Sequence, residues 1–283
     1  MDVFNTVVAG YEGRPRSRDG IALARLLGSA WDARVLAVWV PDRDERYSVT
    51  DHRLRRARIQ ASQLLRESAA ELLAGFPDWD LTLQPASTPA RGLHEVAAEQ
   101  QASALVVGSS HLGPVGRVVV GSTAARLLIE APCPVAIAPR GWSDSERSRP
   151  TRLGVGLDGC PDCESALSEA RTLADRLGVD LVALGVAETG RRFDREKAKR
   201  IDSQLDSASG WGAQAVRLEG HAAEVLAAAS HDLDLLMVGC RACSRVVGHP
   251  RRSVSQRLIR TSGCPLLIVP QGSVAAGRRE AFE

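Results

Sequence analysis

The sequence predicts an α/β protein made of two tandem doubly wound domains, each with a parallel five-stranded sheet in the strand order 3-2-1-4-5. Short apolar strands alternate with helical patterns along the chain, which is typical of β-α-β units. The same succession of elements occurs twice. A chain of 283 residues is long for one doubly wound unit and suited to two.

The first half contains five predicted strands separated by helices. An apolar strand at 4–9 ends in a glycine-containing turn, and the next helix has its apolar side at 21–27. The second strand, 34–40, is halted by Pro41. The remaining elements are predicted as a helix at 54–73, a strand at 81–84, a helix at 90–101, a buried strand at 104–107, a helix at 122–130 and a last strand at 135–138.

The second half repeats these landmarks in order. The repeated segments are 10–13 and 156–159, 35–40 and 181–186, 106–108 and 237–239, and 133–139 and 264–270. The spacing between copies is constant for the first two pairs, and constant but shorter for the last two. One deletion between the second and fourth strands accounts for this. We therefore expect a first domain at 1–141, a polar linker at 142–150, a second domain at 151–271 and a frayed tail at 272–283.

Composition narrows the class of protein. Hydrophobic residues make up 44% and charged residues 25%, as in ordinary globular proteins, and the formal net charge is only +2. So small a net charge does not indicate nucleic-acid binding, which usually requires a clearly basic surface. No apolar run approaches the roughly 20 residues of a membrane-spanning helix, and no signal peptide is visible at the N-terminus. We expect a cytoplasmic protein with neither nucleic acid nor membrane as a partner.

The predicted strand order locates a ligand site in each half. In an open parallel sheet, ligands lie beyond the carboxyl ends of the strands, where the strand order reverses. For the order 3-2-1-4-5 this point lies between strands 1 and 4. The loops to inspect follow Ala9 and Val107 in the first half, and Leu157 and Val238 in the second.

The loop after the fourth strand of the first half is rich in glycine, which lets backbone N–H groups approach phosphate oxygens. It ends in Gly121-Ser122, which opens a helix whose N-terminus favours anions. This loop resembles the ATP-binding loop of the universal stress protein family, whose pattern is glycine, two residues, glycine, nine residues, glycine, then serine or threonine. Gly108, Gly121 and Ser122 match, and His111 occupies the second glycine position. The following segment 131–135 is also typical of that family.

The resemblance covers nearly the whole chain twice and implies a Rossmann-like fold of the adenine nucleotide alpha hydrolase-like type. It also implies that Val40 holds adenine through its backbone, and Glu12 stands where the family usually has aspartate. The candidate residues for ATP or another adenine nucleotide are Glu12, Val40, Gly108, His111, Gly113, Gly121 and Ser122. The alternative is that the glycines only shape a tight loop between a strand and a helix.

The matching loop of the second half departs from the pattern. Gly239 and Ser253 remain, but Ala242 and Arg252 replace the other two motif glycines. Arg252 puts a long side chain where the backbone should meet a phosphate. We therefore expect that this half does not bind ATP in the way usual for the family.

Two Cys-x-x-Cys pairs occupy the predicted ligand site of the second half. Cys160 and Cys163 follow its first strand, and Cys240 and Cys243 follow its fourth. Since these strands should be neighbours, the four thiols predict a structural zinc site or an iron–sulfur cluster. Unrelated thiols or redox disulfides are the alternatives, and His249 is a possible substitute ligand. The other two cysteines, Cys133 and Cys264, precede the last strands and are expected to be packed residues.

These patterns favour a non-enzymatic stress-response regulator with an adenine nucleotide in its first domain and a metal ion held by the four cysteines in its second. A metal or redox sensor without a nucleotide role is one alternative. An ATP-hydrolysing enzyme is less favoured, because no loop pairs a base with a nucleophile and the phosphate loop lacks a lysine. The resemblance also implies pairing of the last strands, 135–138 and 266–269, either inside one chain as a pseudo-dimer or between chains as a homodimer.

Overall fold

The computed structural model describes residues 6–13, 15–41, 52–109, 121–145, 149–160, 163–188, 194–240 and 254–270, without the side chains of residues 15, 16, 52–58, 165 and 240. The first half contains β1 (Thr6–Gly10), α1 (Pro15–Trp31), β2 (Arg34–Trp39), α2 (His52–Leu72), β3 (Trp79–Leu83), α3 (Pro89–Glu99), β4 (Ala104–Gly108), α4 (Ser122–Glu130) and β5 (Val135–Ala138). The predicted alternation of strands and helices in this half is confirmed.

The second half repeats this order of elements. It contains β6 (Arg152–Leu157), α5 (Cys163–Leu177), β7 (Asp180–Ala187), α6 (Arg195–Gly210), β8 (Gln214–Glu219), α7 (Ala222–Ala229), β9 (Leu235–Cys240), α8 (Val254–Leu258) and β10 (Leu266–Pro270). The two halves differ most in the crossover between their second and third strands, where α2 has 21 residues and α6 has 16. This difference agrees with the deletion inferred from the repeat.

The ten strands form one sheet in the order β3-β2-β1-β4-β5-β10-β9-β6-β7-β8. Each half therefore has the predicted order 3-2-1-4-5, and its strands pair in parallel. The two halves meet at β5 and β10, which pair antiparallel with Ala136 opposite Leu267. The two predicted sheets are thus joined, and the last strands pair inside the chain.

Helices cover both faces of this sheet, which explains why its strands, apart from the edge strands β3 and β8, are mostly apolar. One buried cluster contains side chains of α1, α5 and α6, including Leu27, Leu173 and Ile201. The cluster on the opposite face contains side chains of α3, α4 and α7, including Leu93 and Leu127. Each cluster includes residues from both halves, so hydrophobic burial runs across the β5–β10 junction.

The segment predicted as a linker begins inside the folded structure. Trp142 is buried in the core, with 3% of its surface exposed. Asp19, on α1, accepts hydrogen bonds from the N–H groups of Gly141 and Ser143, each at 2.9 Å. The start of the connection is therefore anchored to the first half. Among the described helices, none is long and apolar enough to cross a membrane.

Candidate functional site

The strand order reverses at the predicted place in the first half. β1 pairs with β2 on one side and with β4 on the other, and both pairings are parallel. The carboxyl ends of these three strands therefore lie at one edge of the sheet. Because α4 leads back to the amino end of β5, its own N-terminus lies at the same edge. These elements surround the crevice at which an open parallel sheet binds its ligands.

The turn after β1 contains Glu12 and Gly13. Gly13 has a φ of +72°, and a Cβ atom placed on it would lie 2.5 Å from Cδ2 of Leu65, so the turn requires glycine. The Glu12 N–H donates to Ser17 Oγ at 3.4 Å, and Glu12 is exposed. Its carboxylate is therefore placed at the rim of the crevice.

Val40 lies one residue beyond the end of β2. The Tyr11 N–H donates to the Val38 carbonyl at 2.9 Å, and this is the last bond of the β1–β2 ladder. The backbone N–H and C=O of Val40 make no hydrogen bond to any described residue. A Cβ atom on Gly92 of α3 would lie 2.7 Å from Cγ2 of Val40, so the valine side chain is in close contact with that helix. The Val40 peptide groups are therefore available at the edge of the sheet.

The carboxyl end of β4 is packed closely against α1. A Cβ atom on Gly20 would lie 3.0 Å from the backbone nitrogen of Gly108. The next residue, Ser109, is 2% exposed, and its N–H donates to the Ala138 carbonyl at 2.8 Å. Its Oγ atom is buried without a hydrogen-bond partner among the described residues. A buried hydroxyl in this condition is costly unless a ligand or water completes it.

The helix that follows the phosphate loop starts without a side-chain cap. Gly121 is its N-cap residue, with φ of −79° and ψ of 167°, and Ser122 is exposed. The first N–H groups of α4 therefore lack a side-chain acceptor within the described part of the chain and can receive an anion. The two candidate residues His111 and Gly113 lie outside the described residues. The described candidates, Glu12, Val40, Gly108, Gly121 and Ser122, all belong to this edge of the sheet.

The second half repeats the turn after its first strand. Gly159 has the same φ as Gly13, +72°, and its Cβ atom would lie 2.6 Å from the Lys197 carbonyl oxygen. The segment then continues to Cys160 and to Cys163, which is the first residue of α5. The repeat detected in the sequence therefore extends to the backbone conformation of this glycine.

Asp158, Cys160 and Cys163 form a compact cluster of side chains, with their ligand atoms within 4.8 Å of one another. The two Sγ atoms are 2.7 Å apart. The Cys163 thiol donates to Asp158 Oδ1 at 3.2 Å, and the Cys160 N–H donates to the same oxygen at 3.1 Å. Cys163 is buried, whereas Cys160 and Asp158 are partly exposed. One carboxylate therefore orders both cysteines.

Side chains of α6 hold the backbone of this turn. Arg200 Nε donates to the Gly159 carbonyl at 2.7 Å, and Gln204 Nε2 donates to the Cys160 carbonyl at 2.9 Å. The Lys197 ammonium is 3.9 Å from Asp158 Oδ2. The cluster therefore has two supporting hydrogen bonds and one positive charge beside its carboxylate.

The other cysteine pair is only partly within the described chain. Cys240 is the last residue of β9, and the parallel β6–β9 ladder places Gly156 beside Val238. The backbone of Cys240 thus lies at the same sheet edge as the turn that leads to Cys160. Its side chain, and the whole of Cys243 and His249, lie outside the described residues.

Sequence reasoning missed Asp158 as a member of the cysteine cluster. The signal was present, because Asp158 matches Glu12 in the repeated turn and stands two residues before Cys160. The remaining cysteines agree with the prediction of packed residues: Cys133 is 5% exposed and Cys264 is fully buried. Burial raises the pKa of the Cys133 thiol to about 12.

Comparison with known proteins assigns the family. The model of the universal stress protein family matches residues 4–139 and again residues 150–270. A universal stress protein of Mycobacterium tuberculosis is 30% identical over 200 residues, which are 63% of this chain and 68% of that protein. A universal stress protein of Thermus aquaticus is 29% identical over 138 residues, 48% of this chain and 98% of that protein.

Solved structures show the same fold. The crystal structure of a universal stress protein from Archaeoglobus fulgidus superimposes with a TM-score of 0.74 and 18% identity, covering 95% of this chain and 99% of that one. A putative universal stress protein from Pseudomonas aeruginosa gives a TM-score of 0.67 and 15% identity, with 96% and 95% covered. With the family model matched once in each half, the chain belongs to the universal stress protein family in its tandem, two-domain form.

Proposed function

We propose that this protein is a stress-response regulator that binds ATP or another adenine nucleotide in its first half. The observation that carries the proposal is the set of unsatisfied polar groups at one edge of the sheet. Among the described residues, the Val40 peptide groups and the Ser109 hydroxyl lack a partner, and the start of α4 lacks a side-chain cap. These groups occur at the switch point of a fold that binds ligands there.

Each part of a nucleotide has a matching group at this edge. The Val40 N–H and C=O offer one donor and one acceptor, which suit the hydrogen-bonding edge of adenine. The uncapped start of α4, with the Ser122 hydroxyl and the glycines Gly108, Gly113 and Gly121, suits the phosphates. Glu12 is at the rim, where its carboxylate can accept hydrogen bonds from ribose hydroxyls. We assign His111 to the phosphate side of the site because it occupies the second glycine position of the family's ATP-binding pattern.

Ser109 provides a separate test of this site. Its buried hydroxyl is placed directly after β4, between Gly108 and the rest of the phosphate loop. We expect Ser109→Ala to raise the unfolding midpoint of the nucleotide-free protein or leave it unchanged, since it removes a buried hydroxyl without a described partner and no described hydrogen bond is lost. ATP should bind the variant more weakly, by about tenfold, because a hydrogen bond to a charged group is worth roughly 1.5–3 kcal/mol.

The main experiment is calorimetric titration of the full chain with ATP, repeated on Gly121→Arg. Arg252 stands at the matching position of the second half, so the variant gives the first loop the residue of the diverged copy. Gly121 has φ of −79°, which any residue adopts, so the substitution does not strain the backbone. We expect one ATP per chain in the wild type and a loss of affinity of at least about tenfold in the variant.

The matched control is Gly210→Arg at the end of α6. A Cβ atom there meets nothing within 4 Å, so the control adds the same charge away from the crevice. It should bind ATP like the wild type. Absence of ATP binding in the wild type, or equal binding by Gly121→Arg, would overturn the proposal. We further propose that the protein binds nucleotide without turning it over, and ATP hydrolysis by pure protein above the solution background would contradict this.

A second candidate function, proposed for the other half, is a metal site. Its supporting observation is the cluster of Asp158, Cys160 and Cys163, whose ligand atoms lie within 4.8 Å of one another. The parallel β6–β9 pairing supports this candidate, since the backbone of Cys240 ends β9 at the same edge, whereas Cys243 lies outside the described residues. We propose Cys160, Cys163, Cys240 and Cys243 as the four ligands of a zinc ion, with an iron–sulfur cluster as the alternative metal group. Asp158 would orient the first two through its hydrogen bonds.

Elemental analysis of anaerobically purified protein, with an absorbance spectrum of the same sample, tests the metal site. We expect about one zinc per chain, which is lost when Cys160 or Cys163 is changed to serine. Cys133→Ala, at a buried cysteine outside the cluster, should keep the metal. Iron with sulfide and visible absorbance would select the iron–sulfur alternative. Protein without zinc or iron would overturn the metal proposal and leave the nucleotide proposal intact.

A further inference from the structure

We infer that Cys160 and Cys163 form a reversible disulfide by exchange with a low-molecular-weight disulfide such as oxidised glutathione, with Cys160 attacking and Cys163 resolving. The inference uses two thiols of the proposed metal site but needs no metal. It assigns a redox modification site to the ligand crevice of the second half.

The two sulfur atoms are already in contact. Their separation of 2.7 Å compares with about 2.05 Å in a disulfide and with about 3.8 Å between two thiolates on one tetrahedral zinc ion. The Cys163 N–H donates to the Cys160 carbonyl at 3.1 Å, so a backbone hydrogen bond also joins the two cysteines. Closing the disulfide therefore needs a smaller change in the distance between the two sulfur atoms than placing both of them on one zinc ion.

Burial distinguishes the two thiols. Cys160 is partly exposed, whereas Cys163 is 6% exposed at the start of α5. A small disulfide in solution can therefore reach Cys160 and cannot readily reach Cys163. Thiol–disulfide exchange depends on such access as well as on the nature of the attacking thiol. The geometry assigns the first attack to Cys160 and the second step to its buried neighbour.

Hydrogen bonds to neighbouring side chains hold both cysteines in position for the second step. Asp158 Oδ1 accepts the hydrogen bond of the Cys163 thiol at 3.2 Å and that of the Cys160 N–H at 3.1 Å. Gln204 binds the Cys160 carbonyl, and Arg200 binds the preceding carbonyl of Gly159. The mixed disulfide formed at Cys160 is thus held beside its resolving thiol.

The reaction is balanced by the small disulfide. The Cys160 sulfur attacks one sulfur of the reagent, the reagent S–S bond breaks, and the first small thiol leaves. The Cys163 sulfur then attacks Cys160 Sγ, the mixed disulfide breaks, and the second small thiol leaves. The protein loses two electrons and two protons in all, and both are recovered in the two released thiols.

The experiment uses the full chain, reduced and treated with a chelator, in glutathione buffers of increasing oxidised fraction. Remaining thiols are blocked with an alkylating reagent, and disulfides are located by intact mass and peptide mapping. We expect a disulfide between Cys160 and Cys163 in the wild type. Cys163→Ser should accumulate a glutathione adduct at Cys160. Cys160→Ser should accumulate at least about tenfold less adduct at Cys163 under the same conditions, because that thiol is buried.

Three results would overturn the inference. These are no disulfide in the most oxidising buffer, a disulfide that joins either thiol to another cysteine, and equal adduct formation in the two serine variants. A parallel series with added zinc separates this inference from the metal proposal. A disulfide in protein that, when purified in its reduced form, contains neither zinc nor iron refutes only the metal site. Zinc binding with no disulfide after chelation refutes only the disulfide.

Discussion

The carboxylate of Asp19 accepts two hydrogen bonds from Ser143, one from its N–H and one from its hydroxyl, each at 2.9 Å and across 124 residues of chain. A third bond comes from the Gly141 N–H, and Asp19 itself is 3% exposed. Three donors satisfy this buried carboxylate, as a charge removed from water requires. Its neighbour Gly20 touches the backbone of Gly108. One helix thus joins the turn after β1, the start of the phosphate loop and the connection to the second half.

Asp19→Ala should destabilise the protein by about 3 kcal/mol, because two backbone N–H groups and one hydroxyl, all partly buried, lose their acceptor. Ser143→Ala removes only the hydroxyl and should cost about 1 kcal/mol. Urea unfolding followed by tryptophan fluorescence measures both, and Trp142 next to Ser143 reports on the region directly. Equal unfolding midpoints for the two variants would show that the carboxylate does not anchor the connection.

Alanine substitution should lower the thermal unfolding midpoint by different amounts at Gly13, Gly159 and Gly178. All have φ between +66° and +72°, so each substitution carries the left-handed penalty of about 1–2 kcal/mol. At Gly178 nothing lies within 4 Å, so this variant measures that penalty alone. At Gly13 the new Cβ meets the flexible end of Leu65, and at Gly159 it meets a backbone oxygen.

We therefore expect Gly159→Ala to lower the thermal unfolding midpoint most, Gly13→Ala less and Gly178→Ala least. A side-chain end can rotate away, whereas the Lys197 carbonyl belongs to α6 and moves only with the helix. A larger loss for Gly178→Ala than for Gly159→Ala would contradict the steric explanation.

Cys133 should make the protein sensitive to alkaline pH. Burial raises its pKa from an ordinary 9.0 to about 12, so the fold favours the neutral thiol. The stability that this burial supplies is fully present below pH 9 and is lost as the pH rises from 9 toward 12. Cys133→Ala should therefore flatten the fall of the unfolding free energy between about pH 9 and pH 11. An unchanged slope against pH would show that other groups cause the fall.

Pairing of the last strands predicts a monomer in solution. β5 and β10 pair with each other inside the chain. The edge that each of these last strands could offer to a second chain is therefore already hydrogen-bonded. Sedimentation at increasing protein concentration should give the mass of one chain, 30.3 kDa. A concentration-dependent doubling of the mass would indicate strand exchange between chains or another interface.

Much of the architecture could be predicted from local patterns. Strands covered by helices on both faces are apolar along their whole length, and such runs marked β1, β2, β4 and β5. The repeat then predicted the second half, including the shared conformation of Gly13 and Gly159. The strand order expected of a five-stranded doubly wound unit then located the edge where Glu12, Val40 and Gly121 would lie. These features depend on residues near one another in sequence or on a second copy of the same pattern.

Contacts between distant segments could not be predicted in this way. The apolar sequence of 135–138 is compatible with pairing inside a chain or between chains, and in the structure β5 pairs with β10 of the same chain, with Leu267 opposite Ala136. The polar composition of 142–150 predicts a linker, and in the structure Asp19 accepts two hydrogen bonds from Ser143 near its start and one from the preceding Gly141. Asp158 joined the cysteines only when the turn after β6 was folded. Such contacts arise from the way helices and strands pack together. Periodic patterns in a single sequence predict local helices and strands, but they do not predict hydrogen bonds between segments far apart in the chain.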